Sequence, residues 1–226
     1  MIARGQCGWI WCIPLRDRLS VGIVLTQEAA ARLGRGPEER LEQAIVADPW
    51  LTSIAGGAHR VGPAATFSNY QLISRRGHGP GWVAVGDAFG FVDPMLSPGV
   101  FLSLRSAELV ADALTPVIEH RAPGAVAELD AVFSPYVAAH RAALSAWMSL
   151  IATFYDGRML ALMRAGRDWL QTGSGIFKRS AQDHIERHIA LQASGAATTA
   201  RYSRLLLRFL ARHGLRGVEP ADMAIR

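Results

Sequence analysis

The sequence is nearly without lysine. Of its 24 basic residues only Lys178 is a lysine, so any chemistry that needs one has a single candidate. Cysteine is almost as scarce. Cys7 and Cys12 cannot build a disulfide framework and lack the CxxC spacing, so a reducing cytoplasm is the expected setting. No apolar run reaches the ~18 residues of a membrane span. The longest, Ala142 to Tyr155, reads as a buried helix, and no transmembrane segment is expected. The first residues have no apolar stretch behind a basic start, so no secretory signal is expected. There is no HExxH pattern, no Gly-x-Ser-x-Gly elbow, no zinc-finger, RNP or basic-zipper signature and no internal repeat. Metalloprotease, serine hydrolase and nucleic-acid-binding readings therefore have no support.

What is present suits a folded domain. The chain has 226 residues, half of them apolar and 19% charged. Its net charge of +5 is unevenly spread. Residues 158–226 hold 12 basic and 5 acidic residues, whereas residues 1–157 hold 12 and 14. The excess belongs to the C-terminal third.

The periodicity changes along the chain. Trp9, Trp11 and Ile13 alternate with Ile10 and Cys12, and Ser20 to Leu25 follows a polar turn, which predicts an apolar hairpin over 8–25. Pro37 to Ala55 reads as one helix, with Pro37 in its first turn and Leu41, Ile45 and Ile54 on one face. Residues 59–75 read as extended, and Gly81 to Val85 as a short buried strand. From Val100 onward the pattern is helical, with breaks at 122–124, 156–157, 172–175 and 194–195. The expected fold class is α+β: a strand hairpin and a strand–helix unit over 1–118, then a helical portion over 119–226.

The densest punctuation, Gly86 to Gly99, carries the chemistry. Asp87 at a strand end is placed to accept hydrogen bonds from ligand hydroxyls, and the small neighbours Gly86 and Ala88 let a ligand approach the backbone. Pro94, Ser97, Pro98 and Gly99 lead into a helix whose free N–H groups, from Gly99, Val100 and Phe101, favour a partly negative group. A polyol at one end and an anionic ring at the other describe a reduced flavin. The same residues also describe a strand–turn–helix corner with Asp87 as a cap.

The segment resembles the second FAD-binding motif of the flavoprotein monooxygenase superfamily, the group with p-hydroxybenzoate hydroxylase. Residues 9–14, Trp-Ile-Trp-Cys-Ile-Pro, match the WxWxIP pattern of flavin-dependent halogenases. Residues 91–99 match their FxxPxxSxG pattern at Phe91, Pro94, Ser97 and Gly99. The resemblance is firm over 8–115. It implies an FAD-dependent oxidoreductase of the halogenase or monooxygenase type. Asp87 would hold the ribityl chain, and Gly99 and Val100 would face the ring. Trp9, Trp11, Pro14 and Phe91 would wall the flavin from an aromatic or carrier-bound substrate. A flavin reductase or NAD(P)H would supply electrons.

Departures from that pattern shape the expectations. No G-x-G-x-x-G turn is found. The cluster Gly77, Gly79, Gly81 precedes a strand, and Pro80 interrupts it. No lysine precedes Trp9. The chain is therefore expected to correspond to the C-terminal part of a longer enzyme, with a non-catalytic partial flavoprotein as the alternative. Leu96 replaces the glutamate of tryptophan-type halogenases. Pro98 lacks the N–H expected of a halide site, which favours a hydroxylase or reductase without halide use. His184 and His188 share a helix face but read as polar surface. Arg201, Arg204, Arg208 and Arg212, with Leu205, Leu206, Phe209 and Leu210 as an apolar side, predict a basic amphipathic helix packed on the body. A surface for an acidic carrier is the functional option.

Overall fold

The computed structural model describes residues 2–5, 8–119, 129–171, 175–215 and 217–225. Cys7, His120 and the expected breaks at 122–124 and 172–174 lie outside the described residues. The chain forms two compact units, one of Met1–Ser68, Tyr155–Gly157 and Ala221–Arg226, the other of Asn69–Phe154 and Arg158–Pro220. The α+β class expected from the sequence holds.

In the first unit, strands β1 (Ile2–Gly5), β2 (Gly8–Pro14) and β3 (Leu19–Leu25) form an antiparallel sheet in that order. Trp9 pairs with Val24 and Trp11 with Gly22. The hairpin is the one predicted, and its turn closes with Leu15 N donating to Arg18 O at 2.8 Å. Trp9, Ile10 and Cys12 are buried, so both faces of β2 are covered at its start. Trp11, which the apolar alternation of the hairpin would also place inside, is only half-buried. Its ring lies over Gly22, where an added Cβ would come within 2.0 Å of it, and its Nε1 donates to Ser20 Oγ on the paired strand β3.

Three short helices follow: α1 (Gln27–Leu33), α2 (Pro37–Ala47) and α3 (Pro49–Ala55). The single helix predicted over 37–55 is two. Pro49 cannot donate to the preceding turn, and Asp48 becomes a cap, its Oδ1 accepting from Trp50 N and Leu51 N at 2.9 and 3.0 Å. The restart turns the expected face outward at Ile54. Ala44, Leu51 and Ala55 are buried instead. The helix α1 was not expected. Thr26 signals it, its Oγ1 accepting from Ala29 N at 3.2 Å.

The second unit is built on helices α4 (Gly99–Glu119), α5 (Leu129–Tyr155), α6 (Arg158–Gln171), α7 (Ile176–Ala193) and α8 (Arg201–His213). The strand predicted over 81–85 shrinks to β5 (Trp82–Val83), paired antiparallel with β4 (His78–Gly79) around Pro80 and Gly81. It is neither parallel nor buried: Trp82 and Val85 are exposed, since no further strand of the unit pairs with them among the described residues. Helix α5 supplies the core. Phe133, Tyr136, His140, Leu144, Trp147 and Ile151 recur every three or four residues and are all buried. No helix among the described residues is long and apolar enough to cross a membrane.

Two details differ from expectation in α8. Ser203, Leu207 and Ala211 form its buried ridge, while Leu205 and Phe209 point outward. The reason is the hydrogen bonding beneath it. His188 Nδ1 lies 2.9 Å from Ser203 Oγ, and Gln192 Nε2 donates to Ser203 O at 3.0 Å. The serine hydroxyl meets His188 Nδ1, which a leucine at 203 would leave unpaired, while Gln192 bonds the backbone carbonyl.

His140 gives a pH prediction. It is buried against Phe89 and Tyr136, its Nε2 has no hydrogen-bond partner among the described residues, and burial pushes its pKa down. Below about pH 6.5 the unfolded chain takes up a proton that the folded imidazole resists. Its contribution is full above that value and drains as pH falls through the lowered folded-state pKa. His140→Gln is expected to flatten the fall in melting temperature between about pH 7 and pH 5. An unchanged slope counts against this.

Candidate functional site

The site is made by two tight turns ahead of a long helix. The first is at Gly86, whose φ of +53° favours glycine. An added Cβ would also lie 2.8 Å from Ser103 Oγ on α4. Gly86 N donates to the buried Ser106 Oγ at 2.7 Å, and Ser106 Oγ donates in turn to Ser103 O at 2.8 Å. The turn is thereby fastened to α4. Phe89 N and Gly90 N both donate back to Gly86 O, at 3.0 and 3.2 Å, which lifts Asp87 to the tip. Asp87 is exposed, and its carboxylate has no partner among the described residues. It caps nothing: the short turn Gly86–Ala88 has no side-chain cap bond.

Behind the tip, Phe89 is fully buried. Tyr136 Oη donates to Ala84 O at 2.6 Å and holds the backbone just before the turn. Burial raises the Tyr136 pKa, so the phenol remains a donor.

The second turn is set by Asp93. Its Oδ1 accepts from Met95 N at 2.9 Å, capping the 3₁₀ turn Pro94–Leu96, and its Oδ2 accepts from Tyr70 Oη at 3.0 Å. Burial, reinforced by the Asp93 charge and hydrogen bond, pushes the Tyr70 pKa well above the usual phenol range. Ser97 follows in the left-handed conformation, φ 52° and ψ 42°, its N–H donating to Pro94 O at 2.8 Å. It is one of two non-glycine residues with positive φ among the described residues. The chain then enters α4, whose first turn closes with Leu102 N donating to Pro98 O at 2.9 Å. The N–H groups of Gly99, Val100 and Phe101 have no intrahelical acceptor.

These turns enclose an open cavity of about 240 Å³, lined by Asp87, Gly90, Phe91, Val92, Pro94, Ser97, Gly99, Val100 and Leu102. Six of these were picked out from the sequence: Asp87, Phe91, Pro94, Ser97, Gly99 and Val100. Gly86 and Ala88 flank Asp87 without lining the cavity. Trp9, Trp11 and Pro14 lie on β2 in the other unit, Pro14 exposed. Gly90, Val92 and Leu102 were missed as lining residues, and so were Asp93 and Tyr70 as supports. The Asp93-Pro94 dipeptide was a legible cap signal. At Gly99 an added Cβ would meet no atom within 4 Å. Its φ is not in the left-handed region, so the fold itself does not ask for glycine there. A glycine is what a ligand closing on the helix start would require. His184 and His188 are turned to α8, with His184 Nε2 2.8 Å from Tyr202 Oη.

The family model for tryptophan halogenase matches residues 2–156, which includes β1 to β3, both turns, α4 and α5. The chain belongs to the tryptophan halogenase family. It is 34% identical over 155 residues to tryptophan 2-halogenase of Chondromyces crocatus, covering 66% of this chain and 28% of that protein. It is 28% identical over 116 residues to the 1H-pyrrole-2-carbonyl-(peptidyl-carrier protein) brominase of Pseudoalteromonas luteoviolacea, covering 50% of this chain and 29% of that one. The chain thus spans under a third of the length of these relatives. Among solved structures, a flavoprotein/dehydrogenase from Cytophaga hutchinsonii superposes with a TM-score of 0.73 at 20% identity. It covers 94% of this chain, and this chain covers 49% of it. That likeness extends the shared fold beyond residue 156 into the helices of this halogenase-family chain.

Proposed function

We propose that this halogenase-family chain binds FAD at the cavity between Asp87 and the start of α4. We further propose that it serves flavin-dependent oxidation of an aromatic or carrier-bound small molecule in the cytoplasm. Family membership and the relatives' names support the reaction type. One observation carries the site: a carboxylate at a turn tip and helix-start N–H groups, all without a partner among the described residues, line one cavity.

The residues present fit the group. Asp87 would accept hydrogen bonds from ribityl hydroxyls. Gly99 and Val100 would offer N–H groups and the positive end of a 21-residue helix to the electron-rich edge of the ring. Bound flavin would supply the two-electron chemistry with oxygen, its electrons coming from a flavin reductase or NAD(P)H. Phe91, Pro94 and Ser97 would shape the cavity wall. The cavity holds only part of a dinucleotide, and no residue here is assigned to the adenine end. Pro98 leaves Gly99 as the nearest amide for a halide, so hydroxylation or reduction without halide is the second reading.

Fluorescence titration of the purified chain with FAD, FMN and riboflavin tests the site. Saturable binding of all three, within about tenfold of one another, is expected, because the proposed contacts address the shared riboflavin part. No saturable binding overturns the reading.

A further inference from the structure

We propose that the outward face of α8 is a docking surface for an acidic protein partner, namely a substrate-bearing carrier protein. This deepens the function proposed above and rests on it for the carrier's role.

The face has two parallel rows. At 100° per residue, Arg201, Arg208 and Arg212 fall within one narrow arc, and Leu205, Phe209 and Tyr202 fall in the adjoining one. Opposite them lies the buried ridge of Ser203, Leu207 and Ala211. The apolar row stands in solvent, with Tyr202 55%, Leu205 49% and Phe209 61% exposed. The three arginines are exposed too, and none has an acidic partner among the described residues. No acidic residue occurs between Arg201 and Val218.

The side chains are already held. Tyr202 Oη lies 2.8 Å from His184 Nε2, and the Phe209 ring packs on His213 with centroids 5.1 Å apart. Ordering them beforehand lowers the entropy lost on binding. Tyrosine, phenylalanine and arginine beside one another are also the composition of interface anchors. The complementary surface is a row of carboxylates next to an apolar ridge. A protein fits this better than a bilayer does. An interfacial helix sinks a broad apolar face into lipid, whereas here three apolar side chains stand out and the other face is packed. One relative acts, by its name, on a pyrrole carried by a peptidyl-carrier protein. An unpaired cationic face complements an acidic carrier and speeds its encounter.

The probe is a fluorescently labelled, net-acidic peptidyl-carrier protein, titrated with the full chain and followed by anisotropy. Saturable binding is expected, weakening at about 0.5 M salt. The double variant R208E/R212E and, separately, Phe209→Ser are each expected to weaken it about 5–10-fold. R167E/R179E, with the same charge change on α6 and α7, is expected to leave it within about twofold. These residues are exposed, and circular dichroism confirms that each variant is folded. Absence of saturable carrier binding overturns the proposal. So does equal weakening by R167E/R179E, which means general attraction, or tighter binding to phosphatidylglycerol vesicles, which means a membrane. The assay contains no flavin, so it succeeds or fails independently of the FAD titration.

Discussion

Phe89→Ala is expected to lower the stability of the helical unit by about 3–5 kcal/mol. The ring is fully buried. It meets His140 edge to face at 4.9 Å and Tyr136 at 6.1 Å, and the Arg141 guanidinium lies 5.4 Å over it. On its far side an added Cβ at Gly77 would come within 2.3 Å of it. The pocket is thus closed on all these sides by a helix and a glycine backbone that cannot collapse far, so truncation leaves a void. The loss reaches the site, because Phe89 anchors the turn that carries Asp87 two residues earlier. Phe101→Ala is the contrast. Phe101 is partly exposed, and its loss is expected to cost under about 2 kcal/mol. Hydrogen exchange of the α5 amides is the suitable measure, since a whole-chain melt mixes two units. A loss below about 1 kcal/mol for Phe89→Ala overturns the anchoring role.

Local chemistry was legible in the sequence where it depends on local geometry. Proline and glycine at 94–99 foretold a chain reversal and a helix start, and both are present. Strict alternation around Trp9 foretold β2. What failed depended on neighbours far away in sequence. Gly81 to Val85 has the composition of a buried strand, but burial needs a flanking strand, and among the described residues it pairs with His78–Gly79 alone. In α8 the pattern alone put the largest side chains inward. The packed face carries Ser203, Leu207 and Ala211 because α7 presents His188, whose Nδ1 lies 2.9 Å from the Ser203 hydroxyl. The break at Asp48-Pro49 was readable from the dipeptide itself, and the hydrophobic spacing across it outweighed that signal. The cavity was half legible. Motif residues named its rim, but Val92 and Leu102 line it only because the two turns fold back on α4.

Asp87→Ala is expected to weaken FAD binding about 30-fold while leaving the fold as stable as before. The two halves of that expectation share one observation. The carboxylate is exposed and has no partner among the described residues, so its removal breaks no internal hydrogen bond. Stability should stay within about 0.5 kcal/mol. A ligand hydroxyl donating to a carboxylate is a charge-assisted bond worth about 1.5–3 kcal/mol, and 2 kcal/mol corresponds to about 30-fold in affinity. Asp87→Asn keeps an acceptor without the charge and should fall between. Gly86→Ala behaves differently: it strains a left-handed turn and presses on Ser103, so it should lose stability and affinity together. Titration and chemical denaturation of the three variants separate the roles. An Asp87→Ala chain that binds FAD within about twofold of the parent removes Asp87 from the site. One that loses more than about 1 kcal/mol of stability makes it a structural residue of the turn after all.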